Sequence, residues 1–276
     1  MTAVIATDYQ DKYLWYLPLT VWAWNKIGYN VICFMPNLRN DSSHFKSHYD
    51  SKKLVENTII DNKLNCTAVH FDSVKEKEAT YCQVSRLMAC CLDINIHEQL
   101  VVSDIDMLFL SKDYIKPASW AIIDIYGADL VPPNQFPMCY LSGTVQTWRA
   151  LLKEKKTYQQ WLDDTVGVIE CQDFRGNQWS LDQGLIYKLL KESETVDYIQ
   201  HNRAKEGTQF STRRYDRDDS YILDRLSPDT IDYHMNRPGY EEKNFQIILT
   251  ILKYHYPQED FSWLVNYTNE YRKLVG

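Results

Sequence analysis

The chain has 276 residues, 45% of them apolar and 24% charged, with a formal net charge of −7. That length suits one large α/β domain or two small ones. The acidic balance and the lack of a Lys/Arg cluster exclude a nucleic-acid patch, and no apolar run approaches the ~18 residues of a membrane span.

The N-terminus has no basic stretch and turns acidic at Asp8. No signal peptide is therefore expected, and a cytoplasmic location is. Seven cysteines, at 33, 66, 82, 90, 91, 139 and 171, are scattered in apolar settings and read as reduced thiols. Cys90-Cys91 lacks C-x-x-C spacing, which argues against a zinc site. Sequons at Asn40, Asn65 and Asn266 carry little weight without a secretion signal. Twenty Tyr and eight Trp offer flat faces to a sugar, but serve as readily in a core.

Residues 2–7 read as a first strand ending at Asp8, with Asp8 and Asp11 as caps for the next helix. From Leu14, apolar positions Leu17, Val21, Trp24 and Ile27 keep helical spacing until Gly28. Pro18 either kinks this helix or stands in its first turn. Asn30–Met35 is a second strand, residues 50–63 a helix, Cys66–Phe71 a third strand and Lys77–Asp93 a longer helix. This alternation predicts an α/β chain with right-handed crossovers and a largely parallel sheet covered on both faces. Ligands of such sheets lie beyond the carboxyl ends of the strands.

The segment Gln99–Leu110 begins as an apolar strand, meets Asp104 and Asp106, and resumes as Met-Leu-Phe-Leu. In an extended chain, side chains at i and i+2 share a side, so both carboxylates would aim at one point with Ile105 turned into the core. Like charges placed so close favour a divalent cation, and hard oxygen ligands suit Mg²⁺ or Mn²⁺. An EF-hand would need a glycine at its sixth position and a closing Glu, and Met107, Phe109 and Leu110 exclude it. A phosphatase of the haloacid-dehalogenase type would carry its D-x-D near the N-terminus. A surface turn with solvated Asp side chains is the bland alternative, and the apolar flanks weigh against it.

Beyond Leu110, Ala128–Val131 and Phe136–Leu141 read as strands, the second entering a Ser142-Gly143-Thr144 turn and a helix carrying Trp148. Helices are expected over 157–170 and Leu181–Lys191, separated by the polar stretch 173–179. Residues 203–220 are charge-rich and read as a long mobile loop, whose Arg203, Arg213, Arg214 and Arg217 suit a lid over an anion. Two amphipathic helices, about 241–254 and 258–274, end the chain. No repeat and no linker divides it, so one domain, 1–276, is expected.

Leu-Val-Val-Ser-Asp104-Ile-Asp106-Met-Leu-Phe-Leu closely resembles the D-x-D strand of nucleotide-sugar transferases. Tyr81-x-x-x-x-Arg86-Leu87 resembles the Tyr-x-x-x-x-Arg-Leu helix before it, Phe136–Gly143 a pocket-lining strand, Asp182-Gln183 a helix start opposite the metal, and Asp232–Gly239 a late His motif. Over nearly its whole length the chain is similar to metal-dependent GT-A-type glycosyltransferases. The resemblance implies a GT-A-like (Rossmann-like) fold with a helical C-terminal part. It also implies a nucleotide-sugar half at 1–110 and an acceptor half at 111–276.

The implied activity is hexosyl or pentosyl transfer from a nucleoside-diphosphate sugar to a hydroxyl of a glycan or other acceptor. Asp104, Asp106 and His234 would hold Mn²⁺ or Mg²⁺. Thr7, Asp8, Tyr13, Arg86, Ser103, Gly143 and Arg237 would contact the donor, and Asp182 would be the catalytic carboxylate, as proton acceptor or as stabiliser of the cationic transition state. No base-reading motif stands out beyond Asp8 and Tyr13. A non-catalytic nucleotide-sugar-binding protein and a metal-dependent phosphohydrolase are the competing readings.

Overall fold

The computed structural model describes the chain except residues 39–44, 76, 112, 128–130, 154–155, 169–179, 202–213 and 219. The expected strand at Ala128–Val131, the polar stretch 173–179, Arg203 and Arg213 thus lie wholly or largely outside the described residues. Strands β1 (Thr2–Ala6), β2 (Asn30–Pro36), β3 (Cys66–Phe71) and β4 (Gln99–Ser103) pair in parallel in the order β3-β2-β1-β4. Beyond β4 the sheet continues with β7 (Tyr140–Thr144), β6 (Ile122–Tyr126) and β8 (Asp197–His201). There β7 runs antiparallel to both neighbours, while β6 and β8 pair in parallel. The seven-stranded, mostly parallel sheet matches the expected α/β class.

Two apolar cores cover its faces. Ala3, Ile5, Val31, Cys33 and Val101 face one core, shared with α2 (Leu17–Lys26), α8 (Glu242–His255) and α9 (Ser262–Val275). Val4, Ala6, Ile32, Phe34, Leu100 and Val102 face the other, under α4 (Glu78–Ser85), α5 (Val145–Leu152), α6 (Tyr158–Val168) and α7 (Leu181–Lys191). Burial on both faces explains the unbroken apolar runs in the middle of β1, β2 and β4. Much of the aromatic content is spent inside: Trp15, Trp24 and Trp148 are almost fully buried, and Trp24 stacks on Phe109 at 4.7 Å.

Several boundaries differ from the sequence reading. The first helix divides into α1 (Asp11–Leu14) and α2, with Pro18 in the first turn of α2, where its missing N–H has no partner to lose. The helix α3 (Phe45–Asp61) starts earlier than residue 50. The helix before β4 is α-helical only to Ser85 and tightens into a 3-10 turn over Arg86–Cys91. The expected Ser142-Gly143-Thr144 turn lies inside β7, and Thr144 caps α5 by accepting from the Thr147 amide. Among the described residues, no helix is long and apolar enough to cross a membrane.

The largest correction concerns Gln99–Leu110, which is not one extended strand. After β4 the chain turns at Asp104-Ile105-Asp106, where the Met107 amide donates to the Asp104 carbonyl at 3.3 Å. Met107–Phe109 then forms β5 in a second, three-stranded sheet of order β5-β10-β9. Thr20 of α2 fixes the turn by donating to the Ile105 carbonyl at 2.6 Å. Strand β9 (Arg214–Asp216) lies within the segment expected to be a mobile loop and pairs with β10 (Asp232–His234). Three-residue strands such as these are too short to show periodicity.

This second sheet packs on α8 through His255, whose ring lies 5.8 Å from that of Tyr215. Burial pushes the His255 imidazole down to about 4 from its usual 6.5. It is therefore neutral when folded, while the unfolded chain takes up a proton below pH 6.5. Its contribution to stability is present above pH 6.5 and is lost as the pH falls towards 4. Chemical denaturation at pH 7 and pH 4.5 should show this loss, and His255→Gln should make it smaller.

Candidate active site

One cleft opens where the carboxyl ends of β1 and β4 meet the second sheet. Its lining includes Thr7, Asp8 and Tyr13 after β1, Arg86 at the end of α4, and Asp104 and Asp106 of the turn. Asp182 and Gln183 at the start of α7 complete it with His234 at the end of β10, Arg237 beyond it and Arg217 beyond β9. Strand order places the first group on one edge, as parallel topology requires. The second sheet delivers the last three.

Arg86 is buried and bridges two carboxylates. Its Nη1 donates to Asp104 Oδ1 at 2.5 Å and to the Ser103 carbonyl at 2.9 Å, and its Nη2 donates to Asp182 Oδ2 at 2.7 Å. Arg86 stands where α winding gives way to 3-10 winding. Asp182 Oδ1 accepts the Gln183 amide at 2.9 Å, so both its oxygens are engaged. Burial pushes the Asp182 carboxyl up, with Arg86 opposing. The expected proton acceptor is therefore not held free towards a substrate. Geometry gives Asp182 the work of positioning Arg86.

Asp106 is a second hub, with a side chain only 4% exposed. On its Oδ2 converge Arg217 Nη1 at 2.9 Å, Arg237 Nε at 2.6 Å and His234 Nε2 at 3.2 Å. Burial alone would raise this carboxyl, but the hydrogen bond and charge of His234 and the two guanidiniums hold it well below the usual range. Asp216, at 3.7 Å from His234 Nδ1, flanks the imidazole on its other side. Burial lowers the His234 pKa, its bonds to Asp106 and Asp216 raise it, and the bonds prevail. Arg237 also donates to the Tyr13 hydroxyl at 2.9 Å and lies 5.1 Å from that ring.

The backbone around these groups is tied down. The Met235 amide donates to the Asp106 carbonyl at 2.9 Å. Asn236 donates to the Arg217 carbonyl at 3.1 Å and accepts from the Tyr16 and Tyr233 hydroxyls. Gly239 lies against Trp15 and Tyr16 so closely that an added Cβ would come within 2.3 Å of the Trp15 ring. Asp8 accepts from the Gln10 amide at 3.1 Å and side chain at 2.6 Å, and burial raises its pKa. Thr7 donates to the Asp8 carbonyl.

Two expected donor contacts fall elsewhere. Gly143 pairs with Leu100 in β7, and a Cβ there would meet Ile123 at 2.5 Å. Because β7 is antiparallel, it runs away from the cleft edge, so the space beside Gly143 belongs to the core. Ser103 is fully buried behind Asp104 and reaches the cleft only through the carbonyl that Arg86 holds. Conversely, Arg217, read from the sequence as part of a lid, and Gln183, read as part of a helix start, line the cleft itself. The alternation Arg214-Tyr215-Asp216 around a buried tyrosine was the available sign that a strand precedes Arg217.

The donor set at Asp104, Asp106 and His234 is two carboxylates and an imidazole, which suits Mn²⁺ or Mg²⁺ in kind. The charge balance agrees, since the cleft lining carries four carboxylates against three guanidiniums. An anionic nucleotide entering it would be opposed unless a cation came with it. Among the described residues, no three His, Cys, Asp or Glu side chains are drawn together as a ready cation cage. Arg217 and Arg237 take the place on Asp106 instead.

The two ends of the Arg86 bridge differ in burial, 3% exposure at Asp182 against 37% at Asp104. Asp182→Asn should lower stability to urea by about 3 kcal/mol, the scale for breaking a buried pair. Asp104→Asn should cost less than about 1 kcal/mol. Equal stabilities would show that Asp182 does not anchor Arg86.

No protein-family model and no curated protein sequence matches the chain. Solved structures do. The apo form of the glycosyltransferase GlyE from Streptococcus pneumoniae TIGR4 superposes with a TM-score of 0.52 at 11% identity, covering 99% of this chain and 63% of that one. The galactosyltransferase LgtC, solved with donor and acceptor sugar analogues, gives a TM-score of 0.48 at 12% identity, covering 100% and 95%. The chain thus spans less than two thirds of GlyE. At such identities the likeness is one of backbone, and the chain has the GT-A-type fold of glycosyltransferases.

Proposed function

We propose that this chain transfers a sugar from a nucleoside-diphosphate sugar to a hydroxyl of a glycan or other acceptor, with a divalent cation at Asp104, Asp106 and His234. The observation that supports it is a single one. In a chain of GT-A-type fold, the Asp104-Ile105-Asp106 turn, Arg86, His234 and Arg237 open into the same cleft as Asp8 and Tyr13.

Departure of the diphosphate from the sugar's C1 builds negative charge on phosphate oxygens. A bound Mn²⁺ or Mg²⁺ supplies Lewis-acid neutralisation of that charge. Arg237, clamped on Tyr13 and Asp106, adds a positive charge already in place before reaction. Asp8 and Tyr13, next to it after β1, face the nucleoside side. Arg86 keeps the Asp104 end of the turn in position rather than contacting phosphate freely. With Asp182 held by Arg86, the departing diphosphate is left as the acceptor for the hydroxyl's proton. That route has attack and departure on one face of the sugar and retains configuration. The phosphohydrolase reading is less favoured, because the fold is the GT-A type of glycosyltransferases.

Calorimetry with UDP, GDP and ADP, each with and without Mn²⁺, tests the reading. One of them should bind the wild type in a Mn²⁺-dependent way. Asp104→Asn and Asp106→Asn should each weaken that binding by at least ~100-fold, or ~2.7 kcal/mol. Binding unaffected by chelator or by both variants would contradict the metal assignment.

The imidazole adds a pH test. His234 must be neutral to ligate a metal, and its pKa is raised above 6.5. Mn²⁺ affinity should therefore begin to fall above pH 6.5 as the solution is acidified. In His234→Ala the affinity should be weaker throughout, and that early fall should disappear. An unchanged profile in the variant would return His234 to a structural role.

A further inference from the structure

Asp106 and Arg217 raise a question that the proposed function leaves open. Two permanent positive charges, Arg217 and Arg237, meet on the same oxygen of one carboxylate and compete for it. The two arginines are not held alike. Arg237 is gripped by Asp106 and by the Tyr13 hydroxyl and ring. Among the described residues, Asp106 is the partner of the Arg217 guanidinium.

The backbone of Arg217 is fixed, because Asn236 donates to its carbonyl at 3.1 Å. Its side chain is 24% exposed and lines the cleft. Arg217 is thus a cation on a long flexible stem, rooted at one point, with one bond at its tip among the described residues. That bond is to the carboxylate that a divalent cation would need. A cation arriving at Asp106 competes with the guanidinium for one oxygen, and the displaced guanidinium stays within the cleft. An arriving diphosphate offers it several anionic oxygens, which suit its fork geometry better than a shared carboxylate oxygen.

Resting on the proposed function, we propose that Arg217 is a tethered counter-cation of Asp106, which a divalent metal displaces and which then pairs with the donor's diphosphate. Empty, the buried carboxylate is held by both of its arginines. Loaded, the same arginine adds to the grip on the leaving group. Metal and nucleotide would then bind co-operatively, because each removes a cost from the other.

This exchange has a signature of opposite signs. In Arg217→Gln, Mn²⁺ alone should bind about 3-fold or more tightly than in wild type, since its competitor is gone. The nucleoside diphosphate that wild type binds with Mn²⁺, chosen among UDP, GDP and ADP, should bind about 10-fold or more weakly. Loss of the Mn²⁺ electron-spin-resonance signal reports the first and calorimetry the second. Arg217→Lys, which keeps the charge, should bind Mn²⁺ alone as wild type does. Circular dichroism checks that both variants are folded.

Weaker binding of both ligands to folded Arg217→Gln would make Arg217 a structural support and overturn the exchange. No change in either would make it a solvated side chain and overturn the exchange equally. If wild type binds none of the three diphosphates with Mn²⁺, the proposed function fails and the exchange fails with it. If wild type binds one and only the variant disagrees, the exchange alone fails.

Discussion

A carboxylate with almost no access to water, Asp106, is the constraint around which the second half of the chain is arranged. Leaving such a charge uncompensated in the interior is prohibitive, so its partners must be brought to it. They come from far along the sequence: Arg217 from the end of β9, His234 from β10 and Arg237 from the loop after it. The three-stranded sheet is the device that brings them. Strand β5 leaves the D-x-D turn, β10 pairs with it, and β9 pairs with β10, so Asp106 before β5, His234 of β10 and Arg217 after β9 meet at the same end.

Arg86 plays the matching part on the other side of the turn. It is a buried cation shared between Asp104 and Asp182, with a main-chain carbonyl as third acceptor. The two Asp residues of the turn are thus held by different halves of the molecule, Asp104 through the helix before β4 and Asp106 through the second sheet. Such a turn is fixed in place before any ligand arrives, which is what a site acting by electrostatic preorganisation requires. The partial exposure of Asp104, against the burial of Asp106 and Asp182, marks where the turn opens to solvent.

The sequence made the first half of this plain, because long apolar strands alternating with helices carry strong periodic signals. It also exposed Asp104, Asp106, Arg86, His234 and Arg237, each set in a short local pattern. Other features depended on contacts between distant residues. The turn at Asp104–Asp106 was hidden because Met107–Phe109 continues the apolar run, although into another sheet. The strands Met107–Phe109, Arg214–Asp216 and Asp232–His234 are three residues each, too short for alternation to declare them. Strand β6 was missed because Asp124 interrupts Ile-Ile-Asp-Ile-Tyr, and only the structure shows that carboxylate bonded to His201 at 2.8 Å. Asp182 looked like a free carboxylate at a helix start, because nothing in its neighbourhood announces Arg86, almost a hundred positions earlier.

The central claim, that this cleft moves a sugar rather than merely holding a nucleotide, is tested most directly by product analysis. The protein is incubated with a panel of nucleoside-diphosphate sugars and Mn²⁺, and free nucleoside diphosphate and inorganic phosphate are measured separately. The expected result is slow release of the nucleoside diphosphate from one donor, abolished by chelator, with no inorganic phosphate from that donor or from simple phosphate esters. Release of inorganic phosphate would contradict the account, as would a donor that binds with Mn²⁺ and is never split with or without added sugar acceptors.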